Sequence, residues 1–188
     1  GNGYDDAWIA EAEKRGLLNL PTTPDCIPYF TRPENVKLFT RYQVYTAAEM
    51  VSRQKILLEN YCNLLRIEAL TMLEMARQDI LPAVIAYGSK LCETAAQKQA
   101  IGMTAQTETA LAGRINVLTD DLYNTTEQLE ACLADSERES DFVSRSCFYR
   151  DRLIPTMEHM RACADQLETL TAKNLWPYPG YMDMLLSV

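Results

Sequence analysis

The chain has 188 residues, 47% of them hydrophobic and 23% charged, with a formal net charge of -8 at neutral pH. That composition suits one globular domain with a sizeable core, or one domain with an appendage, and argues against disorder. An acidic chain with no dense Lys/Arg run is a poor match for nucleic-acid phosphates. No apolar run is long enough to span a bilayer, so neither nucleic acid nor membrane is expected as a partner.

Residues 1–45 stand apart through Pro21, Pro24, Pro28 and Pro33 and through Gly1, Gly3 and Gly16. "DDAWIAEAEKRG" reads as a short helix. Asp5 and Asp6 suit its positive end, Lys14 and Arg15 its negative end, and Gly16 its stop. "TTPDCIPYF" and "TRPENVKLF" each place proline where a helix can begin. Short helical turns joined by extended chain are expected. The start "GNGYDDAW" has no initiator Met and no signal-peptide pattern, and reads as a piece of a longer polypeptide.

At Thr46 the character changes. "TAAE" is a capping box, with the Thr46 hydroxyl and the Glu49 carboxylate each accepting from the other's backbone N–H. Leu57, Leu58, Tyr61, Leu64, Leu65, Met72, Met75 and Ala76 then share one helical face, and Gly102 closes the segment. A second helix carries a heptad seam of Leu111, Ile115, Leu118, Leu122, Thr125, Leu129 and Cys132. "DSERESD" is a solvated charge run at a turn. A third helix carries Val143, Cys147, Ile154, Met157, Ala164 and Leu167 and ends near Lys173. No strand-like alternation of useful length occurs. The expected fold is all-α: a bent antiparallel bundle of three long helices over 46–174, an irregular N-terminal segment over 1–45, and an extended tail over 175–188.

Two interior prolines interrupt this pattern, Pro82 in "RQDILP" and Pro155 in "RDRLIP". At the rise of an α-helix they lie roughly 30 Å and 27 Å from the first turn of the bundle, close to one height. Each removes a backbone hydrogen bond and bends its helix. The same arithmetic brings Asp79 toward Arg150 or Arg152 as an ion pair. In the tail, Pro177 and Pro179 prevent a continuing helix and free Trp176, Tyr178 and Tyr181 to dock. Residues 1–45 and this tail are expected to pack against residues 56–67, which are apolar on more than one face.

Catalytic motifs are missing. The one histidine, His159, has Thr156 three residues before it, so the Glu-x-x-His pattern of di-metal bundles fails. It reads as a surface or boundary residue with no identifiable partner. There is no phosphate-binding glycine loop. The six cysteines, Cys26, Cys62, Cys92, Cys132, Cys147 and Cys163, form no C-x-x-C pair and read as reduced thiols on helices. The Met-rich run "ALTMLEMA" reads as core before it reads as a binding groove. Glu68 and Arg150 fall within apolar faces and read as a structural ion pair or a docking point. No catalytic, cofactor-binding or metal residue is assigned.

Several segments in order carry a resemblance. "GNGYDDAWIAEAEKRGLLNLPTTPD", "VYTAAEMVSRQKILLENYCNLLRIEALTMLEMARQDILPA", "YRDRLIPTMEHMRACADQLETL" and "LWPYPGYMDMLL" resemble the C-terminal region of type III glutamine synthetase. The resemblance is weakest over about 90–140. It implies a parent enzyme that joins ammonia to glutamate through a γ-glutamyl phosphate, using ATP and magnesium. It also implies a cytoplasmic assembly of stacked hexameric rings with active sites between subunits. The ligands for metal, nucleotide and glutamate would lie upstream, leaving no cofactor site in this piece. Residues 1–45 would be the end of the catalytic domain, and the partners would be the rest of the chain and neighbouring subunits. The fragment alone would be inert, with a structural or regulatory role. The alternatives are a self-standing helical-bundle interaction module and a small-molecule-binding bundle.

Overall fold

A computed structural model describes residues 5–186; Gly1, Gly3 and the Tyr181 side chain, used above, lie outside what is described. Among the described residues all regular structure is helical, with no strand. No helix is long and apolar enough to cross a membrane. Contacts divide the chain into two compact units, one of residues up to 64 with 139–150, the other of 65–138 with 151 onward.

The first unit begins with α1 (Asp6–Lys14), whose N-cap Asp5 accepts from the Ala7 N–H at 3.1 Å. Gly16 follows at φ 72°, the left-handed stop that glycine adopts without strain. Next come α2 (Thr23–Cys26), a 3₁₀ turn (Ile27–Thr31) and α3 (Pro33–Arg41), each with proline in its first turn. The Asn35 amide donates to the Tyr29 carbonyl at 2.6 Å, and the Thr31 hydroxyl donates to Gln54 at 2.9 Å.

The capping box opens α4 (Ala47–Met75) as read from the sequence. The Thr46 N–H donates to Glu49 at 2.7 Å, and the Glu49 N–H to the Thr46 hydroxyl at 3.2 Å. In this unit α7 (Phe142–Phe148) starts at Asp141, whose carboxylate accepts from the N–H groups of Val143 and Ser144. Arg150 donates to Asp25 at 2.6 Å, with both side chains about one-third exposed or less.

The second unit is an antiparallel bundle of α5 (Leu81–Ala100), α6 (Gln106–Ser136) and α8 (Ile154–Leu170). Its register is visible in cross-helix pairs. Arg77 meets Glu127 and Glu130, Gly88 lies opposite Ile115, and Lys98 pairs with Glu108. Position rises on one helix as it falls on the other. On the far side of α6, Cys132 lies by Thr156 and Asp121 by Cys163, again antiparallel. Gly102, at φ 77°, makes the turn between α5 and α6.

The seam read on α6 holds: Ile115, Leu122, Thr125 and Leu129 are buried, and Leu111, Leu118 and Cys132 are half-buried. On α4 the seam is rotated from the reading. Leu58, Cys62, Ala69, Leu73 and Ala76 are buried, whereas Leu64 is 59% exposed and Glu68 lies in solvent. On α8 and its approach the core is Tyr149, Leu153, Met160, Cys163 and Leu167, while Val143 is exposed. Small residues carry much of the true seam, and larger neighbours one position away drew the sequence reading off it.

Each interior proline is preceded by a π turn. Residues Ala76–Ile80 and Tyr149–Leu153 wind as π-helix, ending two residues before Pro82 and Pro155 respectively. The Leu81 N–H donates five residues back, to the Ala76 carbonyl. A proline has no N–H to give and its ring clashes with the carbonyl four residues earlier. The wider turn removes that clash, so a π turn takes the place of a simple bend. In the second case Pro155 opens α8.

The short helix α9 (Tyr181–Leu186) closes the described chain. Lys173 pairs with Asp183 at 2.6 Å, and Asp183 also accepts from the Gly180 N–H at 3.0 Å. The tail is therefore folded back on its own start.

Candidate functional site

Two features of the second unit have chemical content. The first is a polar cluster between α6 and α8. Leu122 and Met160 face the core, which sets their neighbours Asp121 and His159 at the edge of the interface. His159 and Cys163 are one helical turn apart and so share a face. The Cys163 thiol donates to Asp121 Oδ2 at 3.1 Å, His159 Nε2 lies 3.1 Å from Asp121 Oδ1, and the sulfur lies 3.9 Å from Nε2. Cys163 is 2% exposed. The imidazole and the carboxylate are each about half in solvent.

The thiol and then the imidazole hold the Asp121 carboxyl below the usual carboxylate range. Burial, with the Asp121 carboxylate as a second cause, pushes the Cys163 thiol up to about 12. A thiol so held stays protonated at neutral pH, the reverse of an activated nucleophile. The three donor atoms lie within 4.8 Å of one another, and among the described residues they form a group able to hold a metal ion.

The second feature is a cavity of about 480 Å³. Met72, Met75 and Ile80 line it together with Trp176, Tyr178 and Met184. Trp176 and Tyr178 meet edge to face, with ring centroids 6.3 Å apart. The Tyr178 hydroxyl donates to Asp79 at 2.8 Å. Burial first, then this carboxylate, raises the Tyr178 phenol to about 12. The wall is mostly apolar and suits an apolar body, with Arg161, Asp165 and Glu168 also lining it.

These placements revise several expectations. Asp79 takes Tyr178 as its partner and Arg150 takes Asp25, in place of an Asp79–Arg150 or Asp79–Arg152 pair. Glu68 is exposed and is no part of a buried ion pair. The tail docks over residues 72–80 and not over 56–67, where Ile56, Leu57, Leu64 and Ile67 remain 40–61% exposed. Met72 and Met75 line a cavity and are only half-buried. His159 is exposed, as read, but it has partners in Asp121 and Cys163. The one signal for that cluster was the His-x-x-x-Cys spacing; Asp121, 38 residues away, carried none.

The model of the glutamine synthetase C-terminal domain matches residues 1–99. The chain belongs to that family. It is 34% identical over its full length to a glutamine synthetase of Butyrivibrio fibrisolvens, covering 27% of that protein. It is 28% identical over 98% of its length to the type-3 glutamine synthetase of Dictyostelium discoideum, covering 26%. A glutamine synthetase of Bacteroides fragilis is 23% identical over the whole chain, again with 26% covered. The chain thus corresponds to a C-terminal portion of glutamine synthetase and spans about a quarter of the length of the curated relatives it matches.

Proposed function

We propose that this chain is the helical C-terminal part of an ATP- and magnesium-dependent glutamate–ammonia ligase. In that reading the γ-glutamyl phosphate chemistry is carried by upstream residues. This part has a structural or regulatory role in a cytoplasmic oligomer of stacked hexameric rings, with the rest of the chain and neighbouring subunits as its partners. The observation that carries it is the end-to-end similarity to glutamine synthetases, which this chain matches over only about a quarter of their length.

One feature supports the structural share. Along α4, Val51, Ile56, Leu57, Leu64 and Ile67 are all at least 40% exposed. Apolar surface of that extent fits cover by another part of the enzyme.

The test is to express the complete reading frame beside the 188-residue chain and measure glutamate- and ammonia-dependent phosphate release from ATP. Activity in the full frame and none in the chain alone is the expected result. Release by the chain alone, or a full frame with no ligase active site upstream, would overturn the reading.

A further inference from the structure

The Asp121–His159–Cys163 cluster has no part in the ligase reading. We propose that it is a three-ligand site for a borderline-soft divalent cation of the zinc class, joining α6 to α8 with a fourth position open to solvent.

The geometry comes first. A tetrahedral zinc with sulfur at ≈2.3 Å and nitrogen or oxygen at ≈2.0–2.1 Å places its ligand atoms about 3.3–3.6 Å apart. Here Cys163 Sγ lies 3.1 Å from Asp121 Oδ2, His159 Nε2 lies 3.1 Å from Asp121 Oδ1, and the sulfur lies 3.9 Å from Nε2. With one atom taken from each residue, the donors lie within 4.8 Å of one another, close to the size of that triangle. His159 and Cys163 are fixed one turn apart on α8, and Asp121 is presented by α6, so little ordering remains to be done on binding.

The donor set chooses the ion. Imidazole and thiolate favour zinc and its softer neighbours, while magnesium and calcium want several oxygens. Binding displaces the Cys163 thiol proton to solvent, after which one carboxylate, one thiolate and a neutral imidazole carry the charge that balances a divalent cation. Burial differs across the site in a useful way. The sulfur is enclosed and the other two groups reach solvent, which gives an ion a route in and leaves room for a water. Three protein ligands and one open position is the arrangement of an accessible zinc site, where a closed structural site has four.

The site is tested on the reduced, chelator-treated 188-residue chain by titration with Zn²⁺ in a calorimeter. A parallel titration with Cd²⁺ follows the ultraviolet thiolate-to-metal charge-transfer band. The variants are His159→Ala, Asp121→Asn and Cys163→Ser, with Cys132→Ser as a control. His159 and Asp121 are half-exposed, so their variants keep the test valid even if the Cys163 variant folds poorly. One equivalent of Zn²⁺ is expected. Affinity should fall at least about tenfold in each of the three variants and stay unchanged in the control. The Cd²⁺ band should lose one thiolate's worth of intensity in Cys163→Ser alone among the two cysteine variants. Zn²⁺ should also raise the melting temperature of the unaltered chain and not of His159→Ala. Absence of stoichiometric binding, or binding that His159→Ala and Asp121→Asn leave unchanged, overturns the proposal. The result is independent of whether the parent enzyme ligates ammonia.

Discussion

The phenol of Tyr178 donates to the carboxylate of Asp79 at 2.8 Å, fastening the C-terminal segment to the π turn that precedes Pro82. Replacing Tyr178 by Phe keeps the ring and removes only this bond. The bond is partly exposed, so the expected loss is about 1 kcal/mol, read as a lower melting temperature. The variant also has a pH signature. The folded phenol titrates near 12 against an ordinary 10, so the folded state holds its proton longer than the unfolded one. The stabilisation is complete below pH 10 and disappears as pH rises from 10 toward 12. Melting temperatures of the unaltered chain should fall more steeply through that window than those of Tyr178→Phe.

Removing residues 175–188 should uncover the apolar wall formed by Met72, Met75 and Ile80. The truncated chain is expected to melt lower, bind more of an environment-sensitive dye and self-associate. Unchanged dye binding and a monomeric sedimentation profile would show that the tail does not shield this wall.

Thr46→Ala and Asp141→Ala each delete a helix cap. Thr46→Ala should lower stability by about 0.5–2 kcal/mol; Asp141→Ala should lower it too, and Asp141→Asn less, since asparagine caps nearly as well. Chemical denaturation of the three variants gives the comparison. Backbone donation holds the Asp141 carboxyl below its ordinary range. Its contribution is therefore present above that range and lost as pH falls through the lowered value, a loss that the Asn variant should not show.

Arg77 bridges Glu127 and Glu130 at 3.0 and 2.6 Å, but all three side chains are more than a third exposed. Arg150 reaches Asp25 from a more enclosed position. Arg77→Ala should cost under about 1 kcal/mol and the cost should shrink with added salt. Asp25→Ala should cost about 1–3 kcal/mol with weaker salt dependence. Melts of both variants at low and high ionic strength decide it. A larger effect at Arg77 would mean that the exposed bridge is the more important of the two.

The legible parts of the fold were those written in local chemistry. Thr46 with Glu49, Gly16 and Gly102 mark boundaries through backbone groups that need a partner or a left-handed residue, and each marks one here. The seam of α6 was legible because large aliphatics carry it. On α4 Cys62 and Ala69 are buried, as is Ala76 just after it, and small side chains announce no face. Gln43, at φ 56°, gave no sign of its left-handed turn. The prolines announced a disturbance, but the form it takes depends on how a ring fits into a turn whose Ala76 and Ile80 are already buried. The cluster at His159 was half legible. A spacing of four can be read within one helix, while the pairing of Asp121 with it depends on the register of two helices.

A π turn holds one residue more than the α-helix around it needs. The long helix from Ala47 to Ala100 therefore contains a surplus residue within Ala76–Ile80. That makes this stretch a phase shifter: it offsets the sequence pattern of the helical face on its two sides by about 100°. A single-residue deletion elsewhere in the helix would swing one buried face into water. Loss of exposed Gln78, together with Pro82→Ala, would instead let the helix heal into an unbroken α form with both buried faces still seated. Within these 54 residues, 47 to 100, the π turn is a place where an insertion and a later deletion cancel, leaving the buried faces on either side in place.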